Sequence, residues 1–461
     1  MGVIVSKFGG SSVADGIQLA KLKKIIEDES DRKYVIVSAP GRRFDQDNKV
    51  TDLLYLCKAH IDHNVDYRQI FQVVCDRFLA LKMNLGIDID LEKEFAEIDK
   101  NMQNNASEDY IASRGEYLTA LVVAAYLGYD FVDTAGLICF DERGKLLDEE
   151  TDRRLANEIL KHDRAVIPGF YGSKPDRSIK TFSRGGSDIT GSLVAKAVKA
   201  DVYENWTDVS GFLVADPRIV KNPEQIDMVS YKELRELSYM GASVLHEDAI
   251  YPVRAGNIPI NIRNTNAPAH PGTLIVSDTS KKADDKIITG IAGSKDFVVI
   301  AIYKNMMSAE TGFVRRCLSI LEDYGIPVEH LPSSIDTISI VLSKKKINGK
   351  LEDILEEMQR RLAPDSLDVY QDMALIATVG RGMNRRRGVS ARLFTALYKA
   401  GINIRMIDQG SSEMNIIVGV ENIDFENAVR AIYDTFFETE EDQWAGFPAE
   451  FDEGIKNRLD A

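Results

Sequence analysis

From Val3 to about Val276 the chain alternates short β-branched apolar runs with longer stretches of helical period. The apolar runs predict strands at Val3–Ser6, Tyr34–Ser38, Phe131–Val132, Ala165–Ile167, Val202–Trp206 and Pro259–Ile262. A first helix is expected near Asp15. Leu19, Leu22 and Ile26 form its apolar stripe, and Asp15 with Gln18 has capping-box spacing. Thr51 is placed to cap a helix over Asp52–His60, and Tyr110–Leu127 reads as a long buried helix. Strand–helix–strand repetition of this kind predicts an α/β fold, a mostly parallel sheet sandwiched by helices. Ligands of such sheets bind beyond the carboxyl ends of the strands.

After Pro271-Gly272 and the polar stretch Ser277–Asp285 the texture changes and a repeat appears. Gly312-Phe313-Val314 through Gly325-Ile326-Pro327-Val328 matches Gly388-Val389-Ser390 through Gly401-Ile402-Asn403-Ile404. The match continues at constant offset from Ile338-Ser339-Ile340-Val341 to Met414-Asn415-Ile416-Ile417. Each copy reads as a ferredoxin-like βαββαβ module, with Leu351–Leu362 and Phe425–Phe437 as the second helices. Such a pair serves regulation or dimerisation, and the repeat alone does not separate the two.

Composition narrows the classes. The 461 residues are too many for one core, and 44% hydrophobic content with mixed charge is that of a globular protein. A net charge of −15 argues against nucleic acid as the main partner. No run has the apolar length of a membrane span, and the N-terminus enters a strand without a secretory signal pattern, so a cytoplasmic location is expected. Cys57, Cys75, Cys139 and Cys317 are scattered and the six His form no pair, so neither disulfides nor a metal site is expected.

The candidate chemistry lies in two glycine turns. Lys7-Phe8-Gly9-Gly10-Ser11-Ser12 follows the first strand, and Arg184-Gly185-Gly186-Ser187-Asp188 precedes a helix-like stretch. A glycine pair admits a bulky anion close to the backbone, and a following helix supplies free N–H groups and its positive dipole end. With the fixed cations Lys7 and Arg184, the two turns suit a phosphate donor beside an acidic acceptor. Neither matches a Walker loop, and either one alone is equally an ordinary strand-to-helix turn.

The set Lys7-Phe8-Gly9-Gly10-Ser11-Ser12-Val13, Ser113-Arg114-Gly115-Glu116, Phe182-Ser183-Arg184-Gly185-Gly186-Ser187-Asp188, Trp206-Thr207-Asp208-Val209 and Asp216-Pro217-Arg218 resembles, in that order, aspartate kinase of the amino acid kinase family. The repeat resembles that family's paired ACT domains. The resemblance implies a catalytic domain over 1–285, ACT domains over 286–372 and 373–440, and an acidic tail over 441–461. It implies transfer of the ATP γ-phosphoryl, with Mg²⁺, to the side-chain carboxylate of L-aspartate, a step towards lysine, threonine and methionine. Lys7 would contact the phosphates together with Gly9, Gly10 and Ser11, and Asp188 would hold Lys7 in place. Arg184 would clamp the aspartate α-carboxylate, Glu116 would take its α-amino group, and Ser38 and Thr51 would orient its carboxylates. Gly186, Ser187, Thr207, Asp208, Asp216 and Arg218 fall where the family binds nucleotide. On the residues alone, Glu116 could pair with Arg114 or another cation, Thr51 could be a helix cap, and Asp208 and Asp216 could be turn formers.

Three positions depart from the family pattern. Leu213 and Val214 stand where it usually has Tyr and Thr, and Ser243 where it has a nucleotide-contacting Lys. Weaker or differently tuned ATP binding is therefore expected. In the regulatory half the resemblance implies lysine or threonine as inhibitor, and a homodimer or dimer of dimers through the ACT domains. The helix start Gly312-Phe313-Val314 would receive the inhibitor's carboxylate, and Glu329 its α-amino group, with Ser333, Ser334 and Asp336 on the adjoining turn. Arg405 replaces Glu329 in the second copy, so one amino-acid site per chain is expected. The alternative on the same fold is a non-catalytic amino-acid sensor.

Overall fold

The computed structural model describes residues 2–183, 185–241, 247–277 and 286–438. They fall into two compact units. The first comprises the described residues of 2–212, 225–235 and 247–277, and the second those of 213–224, 236–241 and 286–438.

In the first unit the strands are β1 (Ile4–Phe8), β2 (Arg32–Val37), β3 (Asp130–Phe131), β4 (Ala165–Pro168), β5 (Tyr171–Ser173), β6 (Ile179–Thr181), β7 (Val202–Thr207), β8 (Met228–Ser230), β9 (Ile260–Asn264) and β10 (Thr273–Val276). Eight of them form one sheet in the order β3-β4-β2-β1-β7-β9-β10-β8. All neighbours run parallel except β10 against β9. The helices are α1 (Gly16–Glu27), α2 (Val50–Asp62), α3 (Arg68–Leu85), α4 (Leu91–Gln103), α5 (Glu108–Leu127), α6 (Asp148–Ile159), α7 (Gly186–Ala197), α8 (Tyr231–Tyr239), of which residues 236–239 count with the second unit, and α9 (Glu247–Ala255). Helices α1 to α5 share a core with Phe8, Val35, Val37 and Trp206 on one face of the sheet. Helix α7 covers the other face. It packs so closely there that a Cβ on Gly191 would lie 2.6 Å from the Tyr203 ring.

The period of two in β1 and β7 sorts their polar residues by face. Ser6 and Glu204 point to the α1–α5 side, Lys7 and Asn205 to the α7 side. Glu204 is buried and accepts from Arg32 Nε at 2.8 Å and Nη2 at 3.0 Å, Ser6 Oγ at 2.9 Å and Trp206 Nε1 at 2.9 Å. Burial pushes its pKa up, but Arg32, Trp206 and Arg263 outweigh that and hold it below the ordinary glutamate value. Substituting Arg32→Met strips a buried carboxylate of its main partner. We expect a loss of about 3 kcal/mol at pH 7 in urea unfolding. A carboxyl with a depressed pKa gives up its stabilisation as pH falls, so the gap to wild type should narrow towards pH 4.

The expected strands are found to within two residues. Two helix starts differ from expectation. Helix α2 begins at Val50 with Lys49 in the cap position, because the Val50 N–H is already taken by the Pro40 carbonyl at 3.1 Å. Thr51 therefore lies inside the first turn and caps nothing. Asp15 caps α1 through the Gln18 N–H at 2.9 Å, but the Gln18 side chain turns to Asn266, so the capping box is one-sided.

In the second unit β11 (Gly290–Tyr303), β12 (Thr337–Ser343), β13 (Ser366–Val379), β14 (Met406–Asp408) and β15 (Asn415–Glu421) form an antiparallel sheet in the order β12-β11-β13-β15-β14. Its helices are α10 (Phe313–Asp323), α11 (Lys344–Ile347), α12 (Leu351–Leu362), α13 (Val389–Lys399) and α14 (Phe425–Tyr433). In the first repeat the expected second strand is reduced to the bridges His330–Val341 and Ser333–Ile338. In the second repeat no strand follows α14 among the described residues. Residues 290–294 of β11 take that place, pairing with 375–379 of β13. Strands β11 and β13, each 14 residues long, thus run through both modules, with register shifts around Phe297. No helix among the described residues is long and apolar enough to cross a membrane.

Candidate active site

The carboxyl ends of β4, β2, β1 and β7 come level, with Phe8 paired to Val37 and Trp206, and Val37 to Pro168. Chain order reverses at β1, with β2 on one side and β7 on the other. A crevice opens at such a point in parallel sheets.

Lys7, at the end of β1 and 7% exposed, places Nζ 2.5 Å from Asp188 Oδ1 in the first turn of α7. Asn205 on β7 bridges the two. It donates from Nδ2 to Asp188 at 2.9 Å and accepts from Lys7 at 3.3 Å. An ammonium held this firmly loses little entropy when it meets an anion, and the N-terminus of α7 adds its dipole beside it.

The Lys7 turn differs from expectation in one donor. The Gly9 N–H is spent on the Trp206 carbonyl at 3.0 Å, so Gly9 contributes closeness and Gly10 and Ser11 contribute N–H groups. The need for glycine is steric at Gly41, which crosses the turn. A Cβ there would sit 2.7 Å from the Gly10 carbonyl carbon, and the Gly41 N–H donates to Gly10 O at 2.8 Å. Ser38 leaves β2 beside it, its N–H on Phe8 O at 3.1 Å.

Helix α7 starts at Gly186 after Gly185 in the left-handed region (φ 59°). Arg184 lies outside the described residues. The loop Gly169-Phe170 presses on this helix start, where a Cβ on Gly169 would lie 2.6 Å from Ser187 Cβ. Phe170 itself has φ 83° and donates its N–H to Thr190 Oγ1 at 3.1 Å. A bulky residue in that region costs about 1–3 kcal/mol and marks a site where geometry is imposed.

Glu116 on α5 is buried, and its Oε2 has no hydrogen-bond partner. Burial pushes its carboxyl up to about 8, offset only in part by the Ala39 and Glu116 backbone N–H groups and the charge of Arg114. It forms no ion pair with Arg114. That guanidinium instead lies over the rings of Tyr110, Tyr117 and Tyr171 at 4.6, 4.5 and 5.3 Å and donates to Ser113 Oγ. A buried carboxyl with one oxygen left free and a raised pKa is the kind of group that gathers at functional sites.

The candidate nucleotide residues divide. Gly186, Ser187, Thr207 and Asp208 belong to the first unit, where Thr207 Oγ1 donates to Asp208 at 3.2 Å. Asp216 and Arg218 belong to the second, as do Leu213 and Val214. There Arg218 holds Asp216 at 2.6 Å, which keeps that carboxyl below its ordinary value. Ser243 lies outside the described residues. Sequence reasoning missed Asn205 and Phe170. Only the position of Asn205 directly before Trp206-Thr207-Asp208 could have flagged it.

In the second unit Gly312 caps α10 in the left-handed region (φ 80°), Phe313 is buried, and Val314 is half-exposed. The Glu329 carboxylate accepts from Lys346 Nζ at 2.7 Å and from the Tyr239 hydroxyl. Ser334 donates its N–H to Thr337 O at 2.8 Å, Ser333 bridges to Ile338, and Asp336 Oδ1 is buried without a partner. At the equivalent place in the second repeat, Arg405 pairs with Glu421 at 3.1 Å.

Residues 2–264 match the model of the amino acid kinase family, and residues 376–436 an ACT domain. Aspartokinase 3 of Bacillus subtilis is 37% identical over 94% of this chain and 98% of its own. A chloroplastic aspartokinase 1 of Arabidopsis thaliana is 28% identical over 94% of this chain and 80% of its own. Among solved structures, the Clostridium acetobutylicum aspartate kinase superposes with a TM-score of 0.88 at 52% identity, covering 95% of this chain and 100% of that one. The E. coli aspartokinase III complex with aspartate and ADP shares the fold, with a TM-score of 0.72 at 24% identity over 94% and 100% of the two chains.

Proposed function

Since the chain belongs to the aspartokinases of the amino acid kinase family, we propose that its crevice at β1 and β7 phosphorylates L-aspartate on the side-chain carboxylate at the expense of ATP. One observation carries the assignment of roles: the Lys7–Asn205–Asp188 link stands at the same strand ends as the Glu116 carboxyl with its free Oε2. The linked ammonium suits the transferring phosphoryl group and the carboxylate suits the substrate's ammonium. Gly10 and Ser11 offer N–H groups to the phosphates, with Gly9 as spacer, and the α7 start at Gly186-Ser187 adds its dipole. Ser38, Thr51 and Arg184 complete the acceptor side, and Thr207 and Asp208 flank the nucleotide, with Asp216 and Arg218 assigned to it from sequence alone. Mg²⁺ enters with ATP as part of the substrate, where Asp188 Oδ2, which makes no hydrogen bond among the described residues, suits a water of its shell.

Residues 1–285 form the catalytic domain in this reading, and 286–372 and 373–440 the ACT domains. Lysine or threonine binds the first ACT domain at Gly312–Val314, Glu329, Ser333, Ser334 and Asp336, and a dimer forms through these domains in the cytoplasm. That Glu329 already holds the ammonium of Lys346 supports it as a receptor for an amino group. An effector must displace that side chain. The Arg405–Glu421 pair removes any such receptor from the second domain.

The test is release of ADP with ATP, Mg²⁺ and L-aspartate, with and without lysine. Aspartate-dependent turnover suppressed by lysine is expected. Turnover indifferent to lysine moves the inhibitor to threonine, and no turnover at high ATP favours the amino-acid sensor.

A further inference from the structure

Helix α3 carries none of the motifs, yet it sends one buried guanidinium into the loop between β2 and α2. Arg77 is 6% exposed. Its Nη2 donates to Gly41 O at 2.7 Å and Ala14 O at 3.3 Å, and its Nη1 to Asn48 O at 2.7 Å. Asp47 Oδ2 lies 3.6 Å away, and the Asp47 carboxylate is itself gripped by Arg43, through Nε to Oδ2 at 2.8 Å and Nη2 to Oδ1 at 3.0 Å. Ala14 directly follows the turn Gly10–Val13, and Gly41 N–H bonds to Gly10 O at 2.8 Å. Gly41 and Asn48 stand near the two ends of the loop that joins Ser38 to Thr51.

Burying a guanidinium is costly unless its N–H groups are used, and here they are used on backbone carbonyls of two separate active-site segments. A packing role alone would be filled by an apolar side chain without that cost. Lysine would not replace it, because a point ammonium cannot address three carbonyls spread across a planar fork.

We propose that Arg77 is a positioning residue for phosphoryl transfer, locking the Gly10–Ser11 phosphate turn and the Ser38–Thr51 acceptor loop into one fixed spacing. The proposal rests on the reading of those two segments given above. Donor and acceptor must lie in line within near-attack distance, and a displacement of about 1 Å costs about 100-fold in rate. Loosening the loop leaves ATP on its turn but lets the acceptor drift, so water gains as a competing acceptor.

The experiment compares wild type with Arg77→Met and Arg77→Lys, each checked for its circular dichroism spectrum and thermal transition. Aspartate-dependent ADP release and aspartate-independent ATP hydrolysis are measured side by side. For Arg77→Met, kcat for transfer should fall about 100-fold with the ATP KM within about threefold, and the ratio of hydrolysis to transfer should rise at least about tenfold. Arg77→Lys should recover little, while methylguanidinium added to Arg77→Ala should restore part of the transfer rate and lower that ratio. If Arg77→Met does not fold, Asp47→Ala loosens the same loop from its outer end and should shift the ratio in the same direction. A folded Arg77→Met with wild-type kcat and ratio overturns the proposal. So does a loss of both reactions in equal proportion, which marks a merely structural residue. A wild type that transfers nothing to aspartate overturns the functional reading instead, and the proposal with it.

Discussion

Aspartate binding to the wild-type protein should strengthen about tenfold per pH unit as pH rises from about 6 towards 8, and then level off. The cause is Glu116, whose buried carboxyl is pushed up to about 8 and is therefore mostly neutral in the empty site at pH 7. A substrate ammonium needs the carboxylate, so binding at pH 7 must expel a proton, and the affinity follows the ionised fraction. In Glu116→Gln the dependence should be flat, with the aspartate KM at pH 8 raised about 10- to 100-fold, the worth of one charge-assisted hydrogen bond. Calorimetry at pH 7 in two buffers of different ionisation enthalpy reads the proton directly. One proton released by wild type and none by the variant is the expected result, and none from either removes Glu116 from the site. Stability supplies the opposite sign. A raised folded pKa stabilises the folded protein below the unfolded value of about 4.3 and loses that contribution as pH rises through about 8. The melting temperature of Glu116→Gln relative to wild type should therefore climb across that window.

Substituting Lys7→Met should lower kcat by about 10²- to 10³-fold while leaving the aspartate KM within a few-fold. The ammonium is fixed by Asp188 at 2.5 Å and by Asn205, so its worth is realised on charge that develops in the transition state and not on ground-state affinity. Lys7→Met also leaves the Asp188 carboxylate without its counter-charge. Lys7→Arg should not rescue, because the Lys7 ammonium already lies against Asp188 and 3.6 Å from a Cβ built on Gly9. Steady-state kinetics with saturating ATP decide the matter. A large rise in ATP KM with kcat intact would make Lys7 a binding residue only.

What was legible in the sequence is what short-range chemistry fixes. Lys7 at a strand end, Asp188 in the first turn of α7 and the repeat that opens at Gly312 and Gly388 each depend on a few consecutive residues. Thr51 misled because the backbone of Pro40, ten residues away, already satisfies the helix start. Gly9 misled because its N–H is claimed across the sheet by Trp206. Arg77 could not be singled out from the sequence, since its partners are carbonyls, which leave no mark in side-chain patterns. The fourth strand of the second module was illegible for a similar reason. Residues 290–294 precede the first module, and nothing local says which of the two modules a long apolar strand will serve.

That borrowed strand bears on how the regulatory half can be inherited or rearranged. A stretch cut at 373 and 438 would carry away residues 373–379 of β13 without their partners on β11, leaving one side of the ladder bare, an edge inviting association with any other strand. The second module is thus no self-contained cassette, because its sheet is complete only with residues 290–294 from ahead of the first.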